Sequence, residues 1–221
     1  MAIARTNFMG EGCLGLFGFA SDAYCILSNR VTETKAEDLS EKLDVPVLQT
    51  TVSAFMLPGI MSAGNSNAIL LPYLSEDSEI VAIGKIVPKV QIVSDKFTAL
   101  GNLVCANDNG GIISDVFSDK AKKMIDDALG FKTERGRIAD SSEVGSICIA
   151  TNKGFVVTPD AADKELDYLK EIFGVSGGRA SLDMGKKSVG SHLIANSKGM
   201  VISEKTTPIE IEYANDALGF L

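Results

Sequence analysis

Small, apolar and polar residues follow one another in a pattern that occurs five times along the chain. Each occurrence contains one glycine at the same place, and the five glycines are Gly15, Gly59, Gly101, Gly145 and Gly190. Successive glycines are 44, 42, 44 and 45 residues apart. A tiny residue follows five positions after each glycine, a polar residue six positions after it and an aliphatic residue twelve positions after it. A pattern repeated in phase at this period indicates five copies of one structural unit.

Each repeat contains one predicted amphipathic helix, which starts about twenty residues after the glycine and has apolar residues at i, i+3 and i+7. The apolar triplets are Ala36/Leu39/Leu43, Ile80/Ile83/Val87, Ala121/Met124/Ala128, Leu166/Leu169/Phe173 and Ile211/Ala214/Leu218. The third triplet begins one residue earlier than the others relative to its glycine. A helix is therefore expected in every repeat.

Short strands are predicted on both sides of each helix. Before the helix, apolar residues flank a turn rich in Asn, Asp, Ser and Gly, which predicts two strands around a tight turn, with the glycine in the first strand. After the helix, a third strand is predicted at Val45–Gln49, Val90–Val93, Arg135–Ile138 and Gly178–Ser181. Each repeat is thus predicted as strand, turn, strand, helix, strand.

The fifth repeat lacks room for its third strand, because only three residues follow Leu218. Residues Ala2–Phe8 form a predicted strand that no helix precedes. A ring in which this N-terminal strand completes the fifth repeat leaves no sheet edge open. The sequence therefore predicts a single α/β domain, a five-bladed α/β propeller with pseudo-fivefold symmetry. Its repeats are expected at 9–51, 52–95, 96–139, 140–184, and 185–221 together with 1–8.

Composition and charge narrow the classes of function. Hydrophobic residues make up 45% of the chain and no run is long enough to span a membrane, so a cytoplasmic protein with a sizeable core and no membrane contact is expected. The formal net charge of -8 disfavours a broad nucleic-acid surface and favours a basic protein partner. One cationic cluster is the local exception, and a solvated helix face is its preferred interpretation. Its members are Lys120, Lys122, Lys123, Lys132, Arg135 and Arg137, with a second pair at Lys186 and Lys187.

Candidate chemistry is sparse. The four cysteines form no C-x-x-C pair and are expected to be reduced and mostly buried, and neither a metal nor a cofactor is predicted. The one histidine, His192, is predicted at a structural position on a strand wall. No phosphate-binding glycine motif occurs at a strand-to-helix junction. The sequence therefore contains no recognisable set of catalytic residues, and an enzyme is not expected.

Asparagines in the predicted turns are the candidate functional residues. They are Asn65, Asn107, Asn109, Asn152 and Asn196, and rotation would place them on one end of the ring. Turn geometry alone explains them, since Asn suits the backbone of tight turns. A docking face formed by equivalent loops on a rigid scaffold explains them equally well. Both explanations remain open from the residues alone.

Several segments resemble the translation initiation factor 6 family in its archaeal form. They are KFTALGNLVCANDNGG (96–111), VGSICIATNKGFVVTP (144–159), DKELDYLKEIFGV (163–175), SVGSHLIANSKGMVIS (188–203) and the terminal ANDALGFL. The resemblance covers essentially the whole chain. It implies the pentein fold, which agrees with the ring predicted from the repeat spacing.

The resemblance also implies a function and a partner. It implies a monomeric anti-association factor that docks on the large ribosomal subunit, blocks joining of the small subunit and takes part in ribosome biogenesis. The implied partner is chiefly a basic ribosomal protein near the sarcin–ricin region, with only minor direct rRNA contact. Asn107 matches the family motif for a ribosome-facing turn, so Asn107→Arg is expected to weaken subunit binding while leaving the melting temperature within a few degrees of the wild type.

Two other functions compete with this one. Guanidino-group hydrolases and deiminases share the pentein fold and resemble one another in using a late cysteine nucleophile with a histidine base. Here no cysteine follows Cys148. A generic propeller that binds some other protein is the third possibility, and only the resemblance separates it from the ribosomal function.

Overall fold

The computed structural model describes residues 2–220, which form fifteen strands and ten helices. The strands are β1 (Ala2–Thr6), β2 (Gly18–Ala20), β3 (Cys25–Ser28), β4 (Val47–Thr50), β5 (Ala63–Gly64), β6 (Ile69–Pro72), β7 (Val90–Val93), β8 (Val104–Ala106), β9 (Gly111–Ser114), β10 (Glu134–Gly136), β11 (Cys148–Ala150), β12 (Phe155–Val157), β13 (Gly177–Arg179), β14 (Leu193–Ala195) and β15 (Gly199–Ser203). The helices are α1 (Leu14–Phe17), α2 (Glu33–Leu43), α3 (Pro58–Met61), α4 (Asp77–Ile83), α5 (Leu100–Leu103), α6 (Asp119–Leu129), α7 (Val144–Ile147), α8 (Asp163–Phe173), α9 (Val189–His192) and α10 (Pro208–Ala217).

The strands form five three-stranded sheets, one for each blade. Their strand orders are β2-β3-β4, β5-β6-β7, β8-β9-β10, β11-β12-β13 and β14-β15-β1. In every sheet the first two strands are antiparallel and the outer strand is parallel to the middle one. The N-terminal strand β1 pairs with β15 over five residues, from Ala2↔Gly199 to Thr6↔Ser203. The predicted closure of the ring by the N-terminal strand is therefore confirmed.

The repeat glycines lie in short helices, and their predicted place in a first strand is wrong. Each glycine is the second residue of a four-residue helix, in α1, α3, α5, α7 and α9. A single helical turn is too short to show the 3.6-residue period by which a helix is recognised in a sequence. Each blade is thus a short helix, two strands, a long helix and a third strand.

These five glycines pack against one another around the axis. A Cβ atom built on Gly101 would overlap the carbonyl oxygen of Gly59, and one built on Gly145 would overlap that of Gly101. The same relation joins Gly190 to Gly145, Gly15 to Gly190, and Gly59 to Gly15. Only a residue without a side chain permits this approach of one backbone to the next. The circle of contacts returns to its start, which confirms five blades around a pseudo-fivefold axis.

The long helices cover the outside of the ring and bury the predicted apolar face. Leu39 and Leu43 of α2 and Leu169 and Phe173 of α8 are at most 1% exposed. In the third long helix, Ala121 and Ala128 of the predicted triplet are buried, as predicted, whereas Met124 is only partly buried. Ile125 and Leu129 are buried as well, twenty-four and twenty-eight positions after Gly101, as Leu39 and Leu43 are after Gly15.

A separate apolar cluster lies between each pair of neighbouring blades. Between the first and second blades, for example, Tyr24 and Ile26 pack with Ile69, Leu71 and Ile83. Equivalent clusters join the second to the third blade, the third to the fourth, the fourth to the fifth and the fifth to the first. Each blade therefore contributes to two cores, and removing one would expose both to water.

Within residues 2–220, no helix combines the length and the apolar character that crossing a bilayer would require. Three cysteines, Cys25, Cys105 and Cys148, are free and buried, and Cys13 is free and partly buried. Burial raises the pKa of the Cys25 thiol, which has no charged partner to offset the loss of water.

Candidate docking face

Five tight turns lie together at one end of the ring. Each turn joins the first two strands of a blade, so rotation about the axis brings all five to the same end. We define the turn face as the turns at residues 21–24, 65–68, 107–110, 151–154 and 196–199. The opposite end carries the segments that follow the third strand of each blade, and we call it the hairpin face. The candidate asparagines all lie on the turn face.

Asn107 is almost completely buried within its turn. Its side chain is 4% exposed, and its Oδ1 accepts hydrogen bonds from the backbone N–H groups of Asn109 (2.9 Å) and Gly110 (3.0 Å). Its Nδ2 donates to the carbonyl oxygens of Thr151 and Phe173 in the next blade, both at 2.9 Å. All the hydrogen-bonding capacity of the amide is thus used inside the protein.

Asn65 and Asn196 are held in the same way. Asn65 Nδ2 donates to Leu129 O at 3.1 Å, and Asn196 Nδ2 donates to Leu43 O at 2.8 Å. Leu129, Phe173 and Leu43 are the last residues of α6, α8 and α2. The final carbonyl groups of a helix have no partner within the helix and need an external donor. These asparagines therefore cap the long helix of the neighbouring blade.

Burial corrects the expected role of three candidate residues. Asn65, Asn107 and Asn196 are 2%, 4% and 1% exposed, so their side chains are closed off from a docked partner. For the same reason, Asn107→Arg is expected to destabilise the fold rather than leave it intact. Asn in a turn usually faces water, and the sequence does not reveal that the end of a neighbouring helix lies beside it. Contacts between neighbouring blades therefore determine the role of these three asparagines.

Asn152 occupies a different place from the other candidates. It is the seventh residue after the glycine of its repeat. The sixth position, which Asn65, Asn107 and Asn196 occupy in their repeats, is held here by the buried Thr151. Asn152 lies near the axis, where its Nδ2 donates to Asp22 Oδ2 (2.7 Å) and to Asp108 Oδ2 (2.6 Å). The amide thereby links two carboxylates from different blades. Both aspartates are likewise the seventh residues after the glycines of their own repeats.

The seventh residues form a chain of hydrogen bonds around the axis. Backbone N–H groups donate to the side chain of the next blade, from Ser66 to Asp108 (2.7 Å), Asp108 to Asn152 (2.9 Å), Asn152 to Ser197 (3.0 Å) and Ser197 to Asp22 (2.7 Å). The centre of the turn face is consequently rigid. It also carries two carboxylates, which makes it negative.

The exposed tips of the turns are the eighth residues after each glycine. Four of them are exposed, and these are Asn67, Asn109, Lys153 and Lys198. Of the five candidate asparagines, only Asn109 belongs to this group. Three further exposed lysines, Lys85, Lys89 and Lys132, lie in the neighbouring loops at the same end. The face thus has a negative centre and a rim that is mainly cationic.

The repeat phase could have identified Asn67, Lys153 and Lys198. They share their place in the repeat with Asn109, but attention to asparagine alone passes over the two lysines. Lys198 is partly neutralised, because its Nζ lies 3.0 Å from Asp44 Oδ2.

We expect Asn107→Leu to destabilise the fold strongly. The substitution removes four hydrogen bonds and leaves buried N–H and C=O groups unpaired, at about 1–3 kcal/mol for each unsatisfied group. Thermal unfolding should show a loss of at least about 3 kcal/mol. Asn109→Leu, two residues away on the exposed tip, removes only one long hydrogen bond, from Asn109 Nδ2 to Phe173 O (3.3 Å), and should lower the free energy of unfolding by less than about 1 kcal/mol. Equal effects of the two substitutions would contradict the assigned capping role.

Three of the six cations in the predicted cluster pair with neighbouring carboxylates. Lys122 Nζ lies 2.7 Å from Asp126 Oδ2, and Arg135 Nη1 lies 2.8 Å from Asp119 Oδ1. Arg137 also pairs with a carboxylate, that of Asp115. A solvated, ion-paired surface describes this cluster better than a phosphate site.

Along the axis lies a small cavity of about 70 Å³. Its lining consists mainly of glycine and alanine, together with Cys105 and Cys148. A volume of this size accommodates only a few water molecules. In the part of the chain that is described, no three His, Cys, Asp or Glu side chains group as a metal site requires. The centre of the ring therefore offers no organised site for a substrate.

A cysteine, a histidine and an aspartate meet where the fifth and first blades join. His192 is the last residue of α9, so its predicted place on a strand is wrong. Its Nδ1 donates to Ser188 O at 2.9 Å, and its Nε2 lies 3.5 Å from Cys13 Sγ and 3.7 Å from Asp183 Oδ2. Sequence reasoning missed this group because 179 residues separate Cys13 from His192.

The electrostatics of this group do not favour a nucleophile. Burial raises the pKa of the Cys13 thiol, and the negative charges of Asp183 and Glu11 raise it further. The thiolate is the reactive form of cysteine, so a raised pKa lowers its reactivity at neutral pH. The carboxylate of Asp183 is also hydrogen-bonded by the Ser203 hydroxyl. The group thus forms a contact between the fifth and first blades, where the ring closes.

The fold and the turn face together define a class of protein: a five-bladed α/β propeller with a rigid end formed by five turns. The chain belongs to the eIF-6 family, whose model matches residues 3–217. Similar curated proteins are named translation initiation factor 6. The chain is 38% identical over 191 residues to that of Pyrococcus abyssi, with 84% of each chain covered. It is 36% identical over 194 residues to that of Methanocaldococcus jannaschii, with 85% of each covered.

Two solved structures are similar in shape at low sequence identity. One is a dimethylarginine dimethylaminohydrolase variant, with a TM-score of 0.47, 8% identity and coverage of 94% of this chain and 73% of that one. The other is the N-terminal domain of the arginine dihydrolase ArgZ, with a TM-score of 0.48, 12% identity and coverage of 74% and 67%. At such identities a shared activity does not follow. Family membership gives the protein a role in translation.

Proposed function

We propose that the protein binds the large ribosomal subunit through its turn face and thereby prevents the small subunit from joining. The observation that carries this proposal is the set of exposed tips, Asn67, Asn109, Lys153 and Lys198, held on a rigid network of buried amides. Loops presented by a rigid scaffold are typical of binding surfaces. Membership in a translation-factor family supports the ribosome as the partner.

Rigidity favours binding through this face. Each turn is fixed by hydrogen bonds to the next blade, such as Asn107 to Thr151 and Ser197 to Asp22. Little conformational entropy is then lost when a partner docks, and that loss is one of the main costs of association. A modest interface with few anchors can therefore bind well.

The charges of the turn face match a partner that presents both a basic protein and RNA phosphate groups. Asp22 and Asp108 near the axis suit a basic ribosomal protein, which we propose as the chief contact near the sarcin–ricin region. Lys153 and Lys198 at the tips can each approach a phosphate group, so a minor contact with rRNA is part of the proposal. The net charge of -8 favours attraction to a basic protein over broad binding of nucleic acid.

The proposed mechanism is steric and requires no catalytic step. A compact domain of 221 residues has a radius of gyration of about 17 Å, so it is about 45 Å across. A monomer of this size bound at the subunit interface keeps the two subunits apart. We propose that it acts in the cytoplasm, and that the same contact protects the interface while the large subunit matures.

Subunit joining tests the proposal directly. Purified large and small subunits are mixed with and without the protein and separated on a sucrose gradient. We expect the protein to migrate with free large subunits and to reduce the fraction of joined ribosomes. If it remains at the top of the gradient at low salt, or migrates with large subunits without reducing joining, the proposal fails.

A matched pair of variants tests the proposed face. Asn109→Trp places a bulky side chain on an exposed tip and should weaken subunit binding about tenfold or more. Glu37→Trp adds the same side chain to the exposed side of α2 and should bind like the wild type. Equal binding by both variants would place the contact elsewhere on the ring.

A further inference from the structure

The hairpin face carries an apolar patch that belongs to one blade only. We define the second-blade patch as Phe55, Met56, Tyr73 and Leu74, which are 48%, 49%, 53% and 53% exposed. The first two residues belong to the hairpin that leads into α3, and the other two follow β6. The hairpin and the loop contact each other, since the hydroxyl oxygens of Ser53 and Ser75 are 3.3 Å apart.

The internal repeat shows that the fold does not require apolar residues in this hairpin. Four hairpins on this face are closed by equivalent bridges, Phe8↔Glu11, Val52↔Phe55, Ile138↔Ser141 and Leu182↔Lys186. The residue that opens each bridge is apolar and buried. Its partner is polar in three hairpins and is phenylalanine in the second blade alone. Phe55 therefore has no apolar counterpart at this position, although two other hairpins each expose a single methionine, Met9 or Met184.

The loop before the long helix shows the same contrast. Tyr73 and Leu74 stand three and two residues before the N-cap of α4. The corresponding pairs in the other blades are Asn29/Arg30, Asp115/Val116, Pro159/Asp160 and Glu204/Lys205. Only the second blade has two large apolar residues there. The requirements of the fold are the same in all five blades, so they explain neither the apolar hairpin nor the apolar loop of the second blade.

A buried carboxylate holds the patch in a fixed shape. Ser53 and Ala54 at the hairpin tip have φ values of 59° and 58°, a left-handed conformation that side chains rarely adopt. Glu79 of α4 accepts hydrogen bonds from their N–H groups at 2.7 and 2.9 Å and from the Thr51 hydroxyl at 2.6 Å. Burial acts to raise the pKa of Glu79, but these hydrogen bonds together lower it below its usual value. The ionised carboxylate thus preorganises the hairpin.

The surroundings of the patch are mainly acidic. Glu76 and Asp77 follow Leu74 within three residues, and both are exposed. Asp95 and Lys96 line a surface depression of about 310 Å³ together with Tyr73. Burial acts to raise the pKa of Asp95, but hydrogen bonds from Ser118 and neighbouring N–H groups lower it overall, so the carboxylate stays ionised. Arg30 also lies near Met56, because the Ser28 hydroxyl donates to Met56 O (2.6 Å) and accepts from the Arg30 N–H (3.2 Å). Three carboxylates against Lys96 and Arg30 leave the rim of the patch with a net negative charge.

We propose that the second-blade patch is a docking site for a basic amphipathic helix of another protein. Apolar side chains of the helix would pack on Phe55, Met56, Tyr73 and Leu74, and its lysine or arginine residues would pair with Glu76, Asp77 and Asp95. The site lies on the end of the ring opposite the turn face. A partner bound there leaves the turn face free, so this proposal does not depend on the proposed ribosomal function.

A synthetic peptide tests the proposal without ribosomes. The probe is a helix of leucine and lysine of about 18 residues, five helical turns, with one tryptophan on its apolar face. The protein has no tryptophan, so the fluorescence reports only the peptide. We expect saturable binding to the wild type, weaker at high salt, and no binding of the same peptide with glutamate in place of lysine.

Single variants in the two halves of the patch locate the binding. Phe55→Ser and Leu74→Ser should each weaken binding about tenfold. The matched control is Met184→Ser, which removes a residue 73% exposed on the hairpin of another blade and should leave binding unchanged. Since all three residues are exposed, the melting temperatures should stay close to that of the wild type.

Three results would overturn the proposal. These are no binding of the lysine peptide to the wild type, equal binding by the patch variants and the wild type, and an equal loss of binding in Met184→Ser. Because no ribosome is present, failure of the subunit-joining test would leave this experiment unaffected.

Discussion

Replacing Gly101 by alanine is expected to disrupt the ring. The added Cβ would overlap the carbonyl oxygen of Gly59, and it would also press on that of Ser62 at 2.8 Å. Both atoms belong to the backbone of the adjacent blade, so no flexible side chain can move away. Relief requires the two blades to separate, which opens the apolar cluster between them. We expect the free energy of unfolding to fall by more than about 3 kcal/mol.

Chemical denaturation measures this effect against a matched control. Gly136→Ala adds the same methyl group to β10, where the nearest atom would be Ile112 Cδ1 at an ordinary 3.6 Å. That variant should change stability by less than about 1 kcal/mol. A folded Gly101→Ala protein with the midpoint of the wild type would show that the glycines do not set the distance between blades.

Deleting residues 2–6 should be the second large perturbation, because these residues close the ring. The deletion removes all five pairs between β1 and β15 and leaves the middle strand of the fifth blade with an open edge. It also removes the hydrogen bonds from the Arg5 guanidinium to Glu204 O and Thr206 O. We expect the melting temperature to fall by at least about 10 °C, with aggregation through the exposed edge.

A peptide added in trans provides the control for this deletion. A synthetic strand with the sequence of residues 1–8 should recover part of the lost stability, while a scrambled peptide of the same composition should not. If the shortened protein melts like the intact chain, β1 is dispensable, and the ring is closed by the contacts of the inner glycines alone.

The sequence predicted the ring because similarly spaced repeats indicate equivalent units that are related by rotation about one axis. Five glycines in phase, together with an unmatched N-terminal strand, were sufficient for blade number and closure. The short inner helices were missed, since four residues around Gly15 or Gly101 cannot show a helical period. In the third long helix the apolar pattern found the buried Ala121 and Ala128 but passed over Ile125 and Leu129, which are also buried.

The sequence predicted which loops form the turn face, but not which of their side chains are exposed. The turns were located correctly, yet Asn65, Asn107 and Asn196 act within the protein as caps of neighbouring helices. Their partners are carbonyl groups 64, 66 and 153 residues away in sequence, which no local pattern reveals. The accessible positions lie two residues further along each turn. Position within the repeat, rather than residue type, distinguishes the two groups.

Electron cryomicroscopy of the protein bound to isolated large subunits tests the central claim most directly. The account predicts that the turn face meets the subunit, with Asn67, Asn109, Lys153 and Lys198 in contact and the hairpin face turned toward the position of the absent small subunit. A bound protein that meets the subunit through its long helices or its hairpin face, with the turn tips in solvent, would contradict it.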